Sequence, residues 1–332
     1  MTSVLGVDLG GTKVAIAPLR DNELGESTRQ PTELSGSEAL IEQLVGLVER
    51  ARGSQLDAVG IGVPSVVDYE SGSVISSVNI PLRDVPLRCV LGERLGVPVF
   101  VDNDATVAAL AEAHNERCEL VARNLVMLTV GTGVGGGIVI GGRIYRGATG
   151  GAGELGHTLV ALDLTRAVPP PTGFPQPGSL EHAAAGHALD RLAEQAANEH
   201  PESVLGRLHA RGGTMLGADA VDAARAGDAA AQEIVQIWGE HLGVGIANVI
   251  NTFDPEEVVI GGGAAQAGEL LLEPARRVAA GYLVPGLGKR TTIRLASHGV
   301  KAGVLGAALL AVHELEAGDE VAAGAGPVEV RR

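Results

Sequence analysis

The chain has 332 residues, with 48 Gly, 16 Pro, only three Phe, three Tyr and one Trp, 45% hydrophobic residues and a formal net charge of −15. The hydrophobic content excludes a disordered or collagen-like chain although the glycine share is roughly twice the usual ~7%, and the acidic balance opposes nucleic acid and anionic lipid surfaces as partners. With so few aromatics the core must be built from Val, Ile, Leu and Ala, which suits parallel sheets covered by helices.

In chain order, Val4–Asp8 reads as a strand, Gly10–Thr12 as a turn and Lys13–Leu19 as a second strand. Ser37–Arg52 carries apolar residues at helical spacing and ends before Gly53. Ala58–Val63 is a buried strand candidate, Pro64–Pro86 a long loop with a hairpin, Pro86–Leu95 a helix, Val97–Asp102 a strand and Ala105–Ala113 an Ala-rich helix. From Asn124 the opening pattern returns about 121 residues on: strand Leu125–Val130, Gly-rich turn Gly131–Gly137, strand Ile138–Ile140. Two half-domains that open alike suggest a duplicated fold holding a ligand between its halves. Residues 161–180 are a Pro-rich loop. Helices are predicted at 181–198, 219–224, 228–251, Glu269–Ala280 and from about Gly303 to Leu315, with a strand at Val258–Ile260 running into Gly261–Gly263 and a frayed tail, Gly318–Arg332.

Cys89 and Cys118 are too few for a disulfide framework or a four-thiolate zinc site, and both read as small buried hydrophobes. Neither a basic N-terminal leader nor an apolar run of about 18 residues is present. The expectation is a soluble cytoplasmic protein with no membrane partner.

Three Gly-rich turns follow apolar strands, at 10–12, 131–137 and 261–263. Without a Cβ, such turns let backbone N–H groups close on a phosphate. Gly131, Gly133 and Gly136 have the G-x-G-x-x-G spacing of a dinucleotide site, but that fingerprint needs a helix next and here a short strand follows. Gly288-Lys289-Arg290-Thr291 lacks the earlier glycine of a Walker A loop. The acids Asp102 and Asp104 stand at a strand end before a helix, where either serves as a helix N-cap or projects into the ligand crevice. Glu154, His157, Glu181 and His182 follow the second turn and the Pro-rich loop. Carboxylates, an amide and imidazoles near a phosphate cradle suit a polyol, whose hydroxyls both donate and accept.

Asp8-Leu-Gly-Gly-Thr-Lys13, Asn103-Asp104-Ala-Thr-Val-Ala-Ala, Gly131-Thr-Gly-Val-Gly-Gly-Gly137, Gly153-Glu-Leu-Gly-His157 and Gly261-Gly-Gly263 resemble, in order, the motifs of the ROK family of bacterial sugar kinases, over roughly residues 4–312. The resemblance implies an α/β fold: the duplicated actin-like, hexokinase-like (ribonuclease H-like) ATPase fold, two α/β domains around a cleft. The expected division is 1–118 joined by the C-terminal helix 303–317, and 119–302. It also implies an ATP-dependent kinase acting on the 6-hydroxyl of a hexose, glucose by default, and a homodimer. Asp104 would be the general base. Asn103, Glu154, His157, Glu181 and, less directly, Asn79 would hold the sugar. Gly10, Gly11, Thr12, Lys13, Gly131, Thr132 and Gly133 would embrace the phosphates, Gly261, Gly262 and Gly263 the adenosine, and Asp8 would orient Mg²⁺ through water.

Relatives place a zinc-binding cysteine cluster after the Gly-His pair. Here the segment runs Pro169-Pro-Pro-Thr-Gly-Phe-Pro-Gln-Pro-Gly-Ser-Leu-Glu181, without a thiolate, so no structural zinc is expected and the prolines are expected to stiffen the loop instead. The reshaped loop leaves an aminosugar or N-acetylhexosamine kinase, such as a kanosamine kinase, as the alternative. A non-catalytic sugar sensor is the distant one, opposed by the intact Asp104 and by a start too close to Asp8 for a DNA-binding module. Polyphosphate in place of ATP would call for a basic groove, and only Lys13 stands near the turns.

Overall fold

The computed structural model describes residues 2–162, 168, 170–212 and 214–324. They divide into two compact units: the first comprises residues 1–123, 137–152 and 298 onward, the second 124–136 and 153–297. The segment 137–152 is thus grouped with the first unit rather than with the residues that flank it in sequence.

The first unit begins with β1 (Ser3–Leu9), β2 (Lys13–Arg20), β3 (Glu23–Leu24) and β4 (Thr28–Pro31), followed by α1 (Ser37–Ala51), β5 (Ala58–Val63), β6 (Ser65–Asp68), β7 (Ser73–Ser77), α2 (Leu87–Leu95), β8 (Val99–Asn103) and α3 (Asp104–Glu112). Its sheet has the order β3-β2-β1-β5-β8, with β4 also paired to β2. β1, β5 and β8 run parallel, in a register that sets Asp8 beside Gly62 and Gly62 beside Asp102. Every residue of β5 is buried, as a strand covered on both faces requires. The C-terminal helix, Ala302–Gly324, packs on β1, β5 and α3. It comes close because β1 and β5 carry glycine there: a Cβ on Gly6 would stand 2.0 Å from the Val304 carbonyl oxygen. The helix runs beyond the expected Leu315 to Gly324, and the rest of the expected frayed tail, 325–332, lies outside the described residues.

The second unit takes β9 (Leu125–Val130) and the start of β10 (Val134–Ile140), whose last residues with β11 (Arg143–Ile144) are assigned to the first unit. It continues through a 3₁₀ turn at Leu155–His157, α4 (Leu180–Ala184), α5 (Gly186–Glu199), α6 (Val204–His209), α7 (Gly217–Arg225), α8 (Ala229–Phe253), β12 (Glu257–Gly261), α9 (Glu269–Gly281) and β13 (Thr292–Leu295). β9, β12 and β13 are parallel neighbours.

Several expectations are corrected. The second Gly-rich turn is only Gly131–Gly133, and the strand resumes at Val134 despite its glycines. The helix expected over 181–198 is two, broken at Ala185. The break frees carbonyls that the buried Trp238 uses: its indole N–H donates to the Ala184 and Ala185 oxygens at 2.7 and 3.2 Å. Cys89 is exposed and Cys118 half-buried, not core residues. On α2 it is Leu87, Leu91 and Leu95 that face inward. Strands β3, β4 and β13 and helix α6, of two to six residues each, are too short for a hydrophobic period to mark them and escape the sequence reading. Among the described residues no helix is long and apolar enough to cross a membrane.

Candidate active site

The ends of β1 and β8 build the part of the site that lies in the first unit. Asp8 is the penultimate residue of β1. Burial raises its carboxyl above the ordinary carboxylate range, and the charges of Lys13 and Arg29 pull it back. The following turn is pinned by backbone: the Gly10 N–H donates to the Lys13 carbonyl at 3.0 Å, and the Thr32 hydroxyl to the Gly10 carbonyl at 2.7 Å. Thr12 and Lys13 are exposed. Asn79 is brought against this turn, its Cβ lying 2.8 Å from where a Gly11 Cβ would stand.

The cap of α3 is Asn103, not Asp102 or Asp104. Its side-chain oxygen accepts the N–H groups of Ala105 and Thr106 at 2.9 and 3.2 Å, satisfying donors that a helix start leaves open. Its amide nitrogen donates to the Ser65 carbonyl at 3.3 Å. Asp104, the first residue of α3, accepts the Ala105 N–H at 2.8 Å. Burial, opposed by that hydrogen bond and reinforced by the charge of Asp8, pushes its carboxyl up to about 6. A carboxylate with that proton affinity, partly open to solvent, is suited to general base work near neutrality.

The second unit repeats the strand–turn–strand device. The Gly131 N–H donates to the Gly133 carbonyl at 2.9 Å, and the Gly186 N–H, at the start of α5, to the Gly131 carbonyl at 2.7 Å. Glu181 reaches back from α4 and accepts the Val134 N–H at 2.8 Å. Gly261 ends β12 beside Thr129 of β9, and Gly262 turns with a φ of 77°, where a Cβ would collide with the Val130 carbonyl at 2.4 Å. Gly131, Thr132 and Gly263 line a cavity of ≈ 610 Å³ with Asp190, Arg225 and Trp238. Arg225 hydrogen-bonds the Gln266 carbonyl and pairs with Asp222 at 3.2 Å, fixing the cavity's rim. That volume, lined by apolar and polar atoms in comparable measure, fits a nucleoside.

Glu154 and His157, also in the second unit, face each other across one 3₁₀ turn with Nε2 and Oε2 3.6 Å apart, and the His157 ring meets Phe174 edge-on at 5.1 Å. Both are exposed. Thus Asp8, Gly10–Lys13, Asn79, Asn103 and Asp104 fall on the first unit, and Gly131–Gly133, Glu154, His157, Glu181 and Gly261–Gly263 on the second. Among the described residues no group of His, Cys, Asp and Glu is arranged to hold a metal ion by itself; part of the Pro-rich loop, 163–167 and 169, lies outside them. Sequence reasoning did not find Trp238, Asp190 and Arg225, whose cavity assembles from α5, α7 and α8, nor Arg146, which bridges to Asp102 at 2.7 Å.

A model of the ROK family matches residues 4–314. The chain is similar to the glucokinase of Halalkalibacterium halodurans, 36% identical over 331 residues that span 95% of this chain and 98% of that one. Among solved structures it resembles the ROK hexokinase of Thermus thermophilus, with a TM-score of 0.77 and 35% identity, over 95% of this chain and 100% of the other. It also resembles a ROK family glucokinase from Streptomyces griseus in complex with glucose and AMPPNP, with a TM-score of 0.73 and 33% identity, covering 94% and 99% of the two chains.

Proposed function

The chain belongs to the ROK family, and we propose that it is a hexokinase-type sugar kinase that transfers the γ-phosphoryl group of ATP to the 6-hydroxyl of a hexose, glucose foremost. The observation that carries this reading is Asp104: a half-buried carboxylate at a helix start, raised to about 6, beside the second carboxylate Asp8. A sugar hydroxyl is a poor nucleophile until its proton has somewhere to go, and Asp104 takes that proton as the oxygen attacks phosphorus. Asn103 spends its oxygen on the cap and keeps an amide hydrogen for a hydroxyl. Glu154 and His157 supply an acceptor and an imidazole on the second unit.

The donor molecule fits what is present. The cavity of the second unit takes the nucleoside, and the turn Gly131–Gly133, closed by its own Gly131 N–H, offers the N–H groups of Thr132 and Gly133 to the phosphates, as the turn closed by the Gly10 N–H offers those of Gly11 and Thr12 on the first unit. The hard oxygens of Asp8 suit the Mg²⁺ that accompanies ATP, which neutralises phosphate charge. Glu181, on which an aminosugar preference turns, gives one oxygen to Val134 and thereby serves the phosphate turn. The proposal extends to a cytoplasmic location and a homodimer, the latter checked by light scattering.

The test is ADP release measured with ATP and glucose, mannose, glucosamine, kanosamine and N-acetylmannosamine, with polyphosphate as an alternative donor. Turnover of glucose with ATP is expected. Inert glucose beside an active aminosugar would overturn the substrate assignment, and binding without turnover of any sugar would indicate a sensor.

A further inference from the structure

Next to the base lies an ionic cluster with no place in the phosphate or sugar contacts above. Asp102, one residue from the helix cap, is 3% exposed. One of its oxygens accepts the N–H of Asn103 at 2.8 Å, and the other accepts Nε of Arg146 at 2.7 Å. Arg146 turns its NH2 to Glu314 of the C-terminal helix at 2.9 Å and stacks on Tyr69, 3.5 Å from the ring centroid. The Tyr69 phenol, which burial keeps protonated, hydrogen-bonds Glu314. All four residues belong to the first unit.

Burying the Asp102 carboxylate and half-burying Arg146 and Glu314 is a costly way to hold a fold together, since well-packed apolar side chains of similar volume often do as well or better. What the cluster supplies is direction. A guanidinium has a planar fork whose donors diverge at fixed angles, so Arg146 ties the strand end at Asp102 to the C-terminal helix and to the Tyr69 loop at once. Through the Asn103 N–H, the tie reaches the peptide that sets the start of α3 and hence where the Asp104 carboxylate stands. The Arg146 carbonyl also accepts the Ala152 N–H at 3.0 Å, closing the turn that ends the first unit's share of this segment.

We propose that Arg146 is the positioning residue of the phosphoryl-transfer base: by fixing Asp102 it orients the Asp102–Asn103 peptide that leads into α3 and so aims the Asp104 carboxylate. This rests on the sugar-kinase reading with Asp104 as base. Displacement of a reacting group by about 1 Å costs on the order of 10²-fold in rate, so aim alone can account for retaining the cluster.

The experiment compares wild type with Arg146→Met, Arg146→Lys, Tyr69→Phe and the Asp102→Asn/Arg146→Met double variant. It records kcat and KM for glucose and ATP, calorimetric sugar affinity and stoichiometry, and thermal melting. Arg146→Met is expected to lower kcat by about 10²-fold while sugar affinity stays within about twofold and binding stoichiometry is unchanged. Arg146→Lys should recover part of the rate, because an ammonium reaches Asp102 but cannot also keep the fork and the stack. The double variant should be little worse than Arg146→Met, as residues of one network are non-additive. Should Arg146→Met fail to fold, Arg146→Lys and Tyr69→Phe, which keep the charge or the ring, are each expected to lose about 3–10-fold in kcat at unchanged sugar affinity. A kcat within twofold of wild type in the folded Arg146 variants would overturn the proposal, as would a fall matched by lost binding stoichiometry. Wild-type protein that phosphorylates no sugar would instead fail the kinase reading, and this assignment with it.

Discussion

Glu181 and Val134, 47 residues apart, are joined by a 2.8 Å hydrogen bond from the Val134 N–H to the Glu181 carboxylate, and the same oxygen fills the space a Cβ on Gly133 would need. The contact holds the phosphate turn from behind, so its loss should be felt by the nucleotide. Glu181→Ala is expected to raise the KM for ATP by about 10-fold, the scale of one charge-assisted hydrogen bond at a half-exposed position. Glu181→Gln, which keeps an acceptor, should stay within a few-fold of wild type. Steady-state kinetics with each substrate varied in turn checks this. A rise confined to the KM for the sugar would return Glu181 to the sugar-binding role that its sequence context suggests.

Adjacent glycines in the third turn make opposite demands. A Cβ on Gly263 meets nothing within 4 Å, whereas Gly262 has a positive φ and the Val130 backbone against it. Gly263→Leu should therefore fold normally while its side chain enters the ≈ 610 Å³ cavity that Gly263 lines, raising the KM for ATP by about 10-fold or more and leaving glucose affinity unchanged. Gly262→Ala should instead lower the melting temperature, because strain of about 1–3 kcal/mol enters with it. Calorimetry with a non-hydrolysable ATP analogue and a thermal melt separate the two.

The first unit makes the most of its glycines where the C-terminal helix crosses the sheet. A Cβ on Gly60 would stand 1.8 Å from the Ala307 carbonyl oxygen, too close for side-chain rearrangement to relieve, since the obstacle is backbone. Gly60→Ala is expected to destabilise by about 3 kcal/mol or more, at the upper end for overpacking. Denaturant unfolding of the purified variant tests the magnitude. A change below about 1 kcal/mol would mean that the helix can retreat from β5 at little cost.

Much of this was legible in the sequence, for reasons that particular residues make plain. Strands β1, β5, β9 and β12 announce themselves as apolar runs because parallel strands covered on both faces need no polar alternation. The glycines at 10–12, 131–133 and 261–263 stand out because strand ends rarely tolerate so many without a purpose. What escaped is what assembles from distant segments. Arg146 contacts partners 44 and 168 residues away, so no local spacing marks it. Likewise Trp238 reads as an ordinary core residue of α8 until the break at Ala185 supplies the two carbonyls it binds. Edge strand β4, mostly exposed, carries no hydrophobic period to be read.

Asp104 carries two linked expectations, one for rate and one for stability. A general base must be ionised, and burial has raised this carboxyl from 3.8 to about 6. The rate kcat/KM should hence fall about tenfold per pH unit below about 6 and be flat toward pH 8. Asp104→Asn should lose 10²–10⁴-fold in kcat, the usual range for a general base, while retaining glucose affinity. The sign for stability is the reverse. A carboxyl whose folded value lies above its unfolded one favours the folded state only while protonated, and that support is lost as the pH rises through about 6. At pH 8 the ionised Asp104 therefore works against folding, by about 1–2 kcal/mol once partial exposure is allowed for. Asparagine keeps the acceptor for the Ala105 N–H and carries no charge, so Asp104→Asn should melt above wild type at pH 8, with the gap closing toward pH 4. Paired melts at the two pH values decide it: a variant less stable than wild type at pH 8 would mean that the carboxylate is held for the fold and not for the reaction.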